Sequence, residues 1–282
     1  MKSSAGNQAD LALVDKVAIV TGASSGIGAA TARELARRGA TVALAARRLE
    51  ELERRADALR EDGAEAVAIR TDVTIATQVN CLVHQTMAKF GRVDVLVNNA
   101  GANWHDPLAS TSQDDLIRMV DVNLVGAMLL TRAVLPEMLA RRYGSIVFVG
   151  SLSGRVAMEP IYSATKFGLR GFALALRRQL MGTGVSVSLV SPGNIRTGMT
   201  THVSGRLPGP ETVATQIAQL IIRPRREVVF PSRHYIIVWL EQLAPAFTDY
   251  LHQWRHWGGV TPEELTTWTS SLQAETDSSA SI

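Results

Sequence analysis

A single cysteine, Cys81, stands in 282 residues, which excludes an intramolecular disulfide framework and any cysteine-rich metal site. Packing in a reducing compartment is the reading left for it. Long apolar runs are also missing: none reaches the ~18 residues needed to cross a bilayer, and Met1 to Asp10 lacks the charged-then-apolar pattern of a secretory leader. A soluble, cytoplasmic chain is expected. Charge of one sign is scarce too, since 29 Lys and Arg against 26 Asp and Glu leave +3. The basic residues fall mostly in helix-surface pairs such as Arg37/Arg38, Arg54/Arg55 and Arg177/Arg178, which read as solvated faces, so no nucleic-acid partner is expected. His84, His105 and His202 show no metal-ligand spacing, and no metal is expected. There is no internal repeat.

What is present is ordinary globular material, 46% hydrophobic and 20% charged, in a length that suits one large α/β domain. Short β-branched runs at Val17–Thr21, Thr41–Ala45, Ala66–Arg70, Val93–Val97, Ser145–Val149 and Val185–Val190 read as buried strands. Helical periodicity fills the intervals: Ala29–Arg38, Leu49–Asp62, Ile75–Phe90, Asp114–Arg142 and Ser163–Met181. Strands apolar throughout and separated by helices predict a doubly wound, Rossmann-like parallel sheet of about seven strands, because each parallel connection needs a crossover. Gly39, Gly63, Gly91, Gly144 and Gly184 each sit between a helix and the next strand, where a left-handed C-cap is expected. After Val190 come a loop over Ser191–Pro210, a helix over Glu211–Ile222 and a seventh strand over Glu227–Phe230. The expected organisation is a flexible segment 1–14, a dinucleotide-binding and catalytic domain 15–232, an amphipathic, aromatic-rich helical extension 233–269 and a disordered tail 270–282.

The first strand ends in Thr21-Gly22-Ala23-Ser24-Ser25-Gly26-Ile27-Gly28 and opens a helix. Glycines there let the backbone approach a pyrophosphate, which rests on the positive helix N-terminus. Tyr162 and Lys166, four apart at a helix start, project from one face. A neighbouring ammonium favours phenolate and brings a tyrosine toward use as a general acid or base; the alternative is a core tyrosine beside a surface lysine. The second strand ends in Leu44-Ala45-Ala46-Arg47-Arg48, with Ala46 where a ribose-reading acidic residue would stand and a guanidinium suited to a 2′-phosphate directly after it. An exposed helix-start arginine pair is the other reading.

The glycine loop, Asn98-Asn99-Ala100-Gly101, Asn123, Ser151, Tyr162-x-x-x-Lys166 and Ser191-Pro192-Gly193 occur in that order. From Asp15 to about Phe230 the chain thereby resembles the compact, non-extended branch of the short-chain dehydrogenase/reductase family. The resemblance implies a catalytic set of Asn123, Ser151, Tyr162 and Lys166. Tyr162 would exchange the proton with the substrate oxygen and Ser151 would hydrogen-bond that oxygen. Lys166 would hold the nicotinamide ribose and depress the Tyr162 pKa, and Asn123 would anchor a proton-relay water. It also implies cofactor contacts from Gly22, Ser24, Ser25, Gly26, Ile27, Gly28, Arg47, Arg48, Asp72, Val73, Asn99, Ala100, Gly101, Tyr162, Lys166, Pro192, Gly193, Ile195 and Thr197. The expected cofactor is NADP, with NADPH preferred over NADH. The expected reaction interconverts a carbonyl and a secondary alcohol on an apolar small molecule, in a homodimer or homotetramer. A nucleotide-binding regulator without turnover is the alternative; a nucleotide-sugar epimerase fits less well, because the extended branch uses a different glycine spacing.

Two features stand apart from that pattern. Ser151 precedes Tyr162 by only 11 residues, about two fewer than the family spacing, so the loop Arg155–Pro160 reads as shortened. Trp104, His105, Met158 and Met199 are placed on loops near the reactive end, hinting at an apolar substrate. In the extension, Ile236, Leu240, Leu243, Phe247, Tyr250 and Trp254 recur at helical steps, with Pro245 expected to split the helix. That stripe either packs on the protein body or a partner subunit, or forms a lid or a peripheral membrane contact.

Overall fold

The computed structural model describes residues 12–105, 107–201 and 203–254; the expected tail 270–282, Trp257 and most of segment 1–14 lie outside them. Seven strands, β1 (Val17–Thr21), β2 (Thr41–Ala46), β3 (Ala66–Arg70), β4 (Val95–Asn98), β5 (Gly144–Val149), β6 (Val185–Pro192) and β7 (Val228–Phe230), form one sheet in the order β3-β2-β1-β4-β5-β6-β7. Every pairing is parallel. The helices are α1 (Gly26–Arg37), α2 (Leu49–Glu61), α3 (Ala76–Phe90), α4 (Gln113–Val120), α5 (Gly126–Ala140), α6 (Pro160–Gln179), α7 (Pro210–Ile222), α8 (Tyr235–Leu243) and α9 (Pro245–Trp254).

Strand side chains alternate between two separate cores because the period of a strand is two. Ala18 and Val20 of β1 face a layer built with Leu35 of α1, Leu52 of α2 and Ile217 of α7. Ile19 faces the opposite layer, with Leu82 of α3, Leu130 of α5 and Leu169 of α6. Both faces are covered, which is why the strands read as continuous apolar runs. Strand order reverses between β1 and β4, the switch point beyond whose C-terminal ends a doubly wound sheet opens a crevice.

Several local expectations change. The stretch read as one helix over Asp114–Arg142 is broken into α4 and α5 by a π-helical turn at Asp121–Val125 that carries Asn123. Gln113–Ala140 is the one helix among the described residues long and apolar enough to cross a membrane, contrary to the expected absence of such a run; Leu130, Val134 and Met138 are sealed in the core against the sheet, and a core helix meets the same criteria. Gly39, Gly63, Gly91 and Gly184 have φ between 79° and 89°, but Gly144 opens β5, and Arg142 takes the left-handed conformation instead. The glycine at 144 answers to space, since a Cβ there would lie 2.5 Å from Met138 Sδ. Leu13 is buried and its N–H donates to the Arg38 carbonyl, so the ordered body begins before residue 15. Cys81 is exposed rather than packed, accepting from Gln85 Nε2 at 3.0 Å. Pro245 does divide the extension, starting α9. Four of the stripe residues, Ile236, Leu243, Phe247 and Tyr250, face outward, with Ile236 68% and Leu243 75% exposed, while Val238 is the fully buried residue of α8, packed with Leu152, Val156 and Val229 and flanked by Tyr235 and Ile237.

Candidate active site

At the switch point, β1 and β4 are stitched together by one threonine. Thr21 Oγ1 accepts from the N–H of Asn99 and of Ala100, at 3.0 and 3.1 Å, and Asn99 Nδ2 donates back to the Thr21 carbonyl at 2.8 Å. Asn98 takes no part in that edge; its side chain is buried and donates to Thr131 Oγ1. The chain then turns through Gly22 at φ +65° and Gly26 at φ +55°. A Cβ on Gly28 would lie 2.3 Å from the Gly22 carbonyl oxygen, and one on Gly26 would meet Thr197 at 3.3 Å. Ser25, the N-cap of α1, makes no side-chain cap, so the first-turn N–H groups of that helix are left for another acceptor.

A cavity of about 320 Å³ opens there, bounded by Gly22, Ser24, Ser25 and Ile27 on the first loop, Arg47 and Arg48 after β2, Asp72 and Val73 after β3, Asn99 to Gly101 after β4, and Tyr162, Lys166 and Thr197. Arg48 Nη2 donates to Ser24 Oγ and Ser25 Oγ, each at 3.1 Å, whereas Arg47 is exposed and makes no ion pair among the described residues. Asp72 spends its carboxylate on the turn, accepting from the Thr74 N–H and hydroxyl. Arg118 and Val122 also border the cavity. Neither was expected, because nothing in an amphipathic helix marks which exposed residue overhangs a cleft.

A second cavity of about 620 Å³ adjoins the first, bounded by Ile27, Ser151, Met158, Tyr162, Pro192, Gly193, Ile195, Thr197 and Met199, together with Asn103, His105 and Glu159. Tyr162 borders both cavities, as do Ile27, Thr197 and Met199. Gly26, Gly28 and Asn123 border neither and act by shaping the backbone around them.

Pro160 begins α6 at a position where its missing N–H costs nothing, placing Tyr162 in the first turn and Lys166 one turn on. Despite the short spacing, the Ser151 side chain stands near enough to the Tyr162 phenol to hold its pKa down, while its hydroxyl oxygen accepts from the Ser153 N–H at 3.1 Å. The reason is Gly154: a Cβ there would lie 2.7 Å from the Lys166 carbonyl oxygen, so glycine lets the turn Leu152–Gly154 press against α6. Asn123, almost fully buried, holds Ala102 by both backbone groups and donates to Thr165 Oγ1 on α6 at 3.1 Å.

The Tyr162 pKa runs opposite to expectation. Burial pushes it up to about 12; the nearby Ser151 side chain works against that, and the charge of Glu159 adds to it. Lys166 Nζ lies 5.5 Å from the Tyr162 ring centroid, over the ring, and reaches the Val149 carbonyl at 3.4 Å. Its own pKa falls from 10.5 to about 8 because the ammonium is buried. In this arrangement desolvation dominates both groups.

Residues 16–207 match the family model of short chain dehydrogenases. The chain belongs to the short-chain dehydrogenase/reductase family. Among its relatives is a protein of Nostoc sp. named ketoacyl reductase HetN, 37% identical over 257 residues that span 86% of this chain and 90% of the relative. A variant of actinorhodin polyketide ketoreductase, solved with NADPH, superposes with a TM-score of 0.72 at 34% identity, over 76% of this chain and 95% of that one. A short-chain dehydrogenase/reductase from Burkholderia phymatum, solved with NAD, superposes at 0.79 and 28% identity, over 84% and 96%.

As a short-chain dehydrogenase/reductase the protein is an NAD(P)-dependent oxidoreductase acting on small-molecule carbonyl or alcohol substrates. Its first cavity suits a dinucleotide. The Gly22–Gly28 contact brings backbone to the floor of the loop, the α1 N-terminus offers donors for a pyrophosphate, and the cleft runs from two arginines to Tyr162 and Lys166.

Proposed function

We propose that this enzyme is an NADPH-preferring reductase that interconverts a carbonyl and a secondary alcohol on an apolar small molecule, with Tyr162 as the acid/base. The observation that carries the reading is the position of Tyr162 on the wall shared by the two cavities, with Ser151 beside it on the second. Nicotinamide, when bound, supplies or accepts the hydride. Tyr162 would donate its proton to the carbonyl oxygen in reduction and take it back in oxidation. Ser151, on the same cavity wall, would hydrogen-bond that oxygen and orient it. Lys166, on the first cavity, would hold the nicotinamide ribose, and Asn123 keeps the Ala102 loop and α6 in register.

The preference for NADPH is supported by Arg47 and Arg48 beside Ala46, a residue with no carboxylate to receive a ribose hydroxyl. One structural neighbour carries NADPH and another NAD, so the arginines rather than the likeness support this part. An NADPH-oxidation screen over aldehydes, ketones, quinones and acyl-linked ketones tests the whole. Reduction of at least one apolar ketone, with a higher kcat/KM for NADPH than for NADH, is the expected result; turnover only with NADH would reject the cofactor assignment, and no turnover in any class would reject the reductase reading.

A further inference from the structure

The second cavity carries a small polar cluster outside the catalytic set. Glu159, the residue immediately before α6, receives Asn103 Nδ2 at 2.6 Å and faces His105 Nδ1 at 3.0 Å, both through Oε2. His105 Nε2 reaches on to the Met199 carbonyl at 3.2 Å. The backbone of His105 sits at φ +57°, a conformation costly to a residue with a side chain, and these contacts hold it there. Glu159 thereby holds the Asn103–His105 loop, and His105 in turn holds the Met199 loop.

Two features of that carboxylate point to a ligand. Its second oxygen, Oε1, has no hydrogen-bond partner among the described residues, and the side chain is 37% exposed on the cavity wall. Its charge also reaches the reacting group, since it adds to the upward push on the Tyr162 phenol. Among the described residues the one basic side chain bordering this cavity is His105, whose Nδ1 is already engaged by Glu159 Oε2; no lysine or arginine does so. A substrate carboxylate or phosphate would find no arginine or lysine there, and would face Glu159. A substrate ammonium would find a charged acceptor with a free lone pair.

Resting on the reductase reading above, we infer that Glu159 is a specificity-determining residue that selects ketones bearing a protonated amine on an apolar frame and disfavours anionic ones. Met158, Ile195, Met199 and Val203 supply the apolar frame's surroundings. Glu159 takes no part in proton transfer; it receives the ammonium while Tyr162 and Ser151 receive the carbonyl.

Three probes of similar size separate the charges: 4-(aminomethyl)acetophenone, its near-isostere 4-ethylacetophenone, and 4-acetylbenzoate. At pH 7.5 the wild type is expected to reduce the ammonium ketone with the highest kcat/KM and the carboxylate with the lowest. In Glu159→Gln the ammonium-to-ethyl ratio of kcat/KM should fall about ten- to a hundredfold, the range of a charge-assisted hydrogen bond. The loss of the Glu159 charge also alters Tyr162, but equally for each substrate, so it cancels in the ratio. A ratio unchanged within twofold, or a wild type that favours 4-acetylbenzoate, overturns the inference. Calorimetric binding of the same three probes to the enzyme loaded with NADP⁺ keeps the two readings apart. If none is reduced yet the ammonium probe binds tightest and loses its advantage in Glu159→Gln, the reductase reading fails and the Glu159 inference stands. If all are reduced but bind without regard to charge, the reverse holds. Should Glu159→Gln fail to fold, the wild-type order of the three probes decides by itself.

Discussion

Asn123 grips Ala102 by both backbone groups: Oδ1 accepts the Ala102 N–H at 2.8 Å, and Nδ2 donates to the Ala102 carbonyl at 2.9 Å. The same Nδ2 reaches Thr165 on α6, so one buried amide sets the distance between the loop after β4 and the helix that carries Tyr162 and Lys166. Asn123→Ala should therefore lower stability by about 1–3 kcal/mol, the cost of unpaired buried polar groups, and lower kcat more than it raises the cofactor KM. Urea unfolding and steady-state kinetics check both; a variant with wild-type stability and kcat would show that the amide braces nothing.

Removing the phenol oxygen tests the chemistry directly. Tyr162→Phe keeps the ring on the wall between the cavities, so NADPH should still bind with near-normal affinity, followed by fluorescence. Turnover should fall about 10²- to 10⁴-fold, the usual contribution of a general acid. Retained turnover would move the proton donor elsewhere.

Lys166 makes a pH prediction with a definite sign. Burial lowers its pKa from 10.5 in the unfolded chain to about 8 in the fold, so between those values the unfolded state binds more protons than the native state. Stability contributed by this group is full above about 10.5 and is lost as pH falls through 8. Unfolding free energies of the wild type should rise relative to Lys166→Met between pH 8 and 10. Tyr162, raised to about 12, pulls the other way only above pH 10. Parallel curves for wild type and Lys166→Met would refute the burial account.

The two arginines after β2 should separate by role. Arg47 is free of ion pairs among the described residues, so Arg47→Ala should raise the NADPH dissociation constant about ten- to a hundredfold while leaving NADH nearly unchanged. Arg48 ties down Ser24 and Ser25, so Arg48→Ala should weaken both cofactors. Titration of each variant with each cofactor distinguishes the pair; equal losses for Arg47→Ala would remove it from the 2′-phosphate.

Gly28 gives the sharpest steric test. Any Cβ there collides with the Gly22 carbonyl and Asn99 Nδ2, at 2.3 and 2.5 Å, and the first of these is backbone that cannot swing away. Gly28→Ala should cost about 1–3 kcal/mol by overpacking and should weaken cofactor binding. A thermal melt and an NADPH titration matching wild type would mean that the loop relaxes freely.

The parallel sheet and its glycine loop were legible from residue order because both are local consequences. Apolar runs of strand length between helical periods have few other solutions, and glycines between a strand and a helix answer to backbone sterics. The spacing of Tyr162 and Lys166 placed them on one helical face for the same reason. What the sequence could not decide was long-range. The Ser151 contact with Tyr162 survives a shortened loop only because Gly154 lies against the backbone of α6. The direction of the Tyr162 pKa depended on how completely the phenol and the ammonium lose water, which no spacing encodes. Likewise the periodic stripe on α8 and α9 has an apolar face by arithmetic, yet Val238, flanked by Tyr235 and Ile237, turns inward while Ile236, Leu243, Phe247 and Tyr250 stay exposed, because the surface that α8 meets is made by Leu152, Val156 and Val229, far away in the chain. Periodicity names a face of a helix; only the surrounding packing decides which face is covered, and only that packing joined Asn103 and His105 to Glu159, and His105 to Met199.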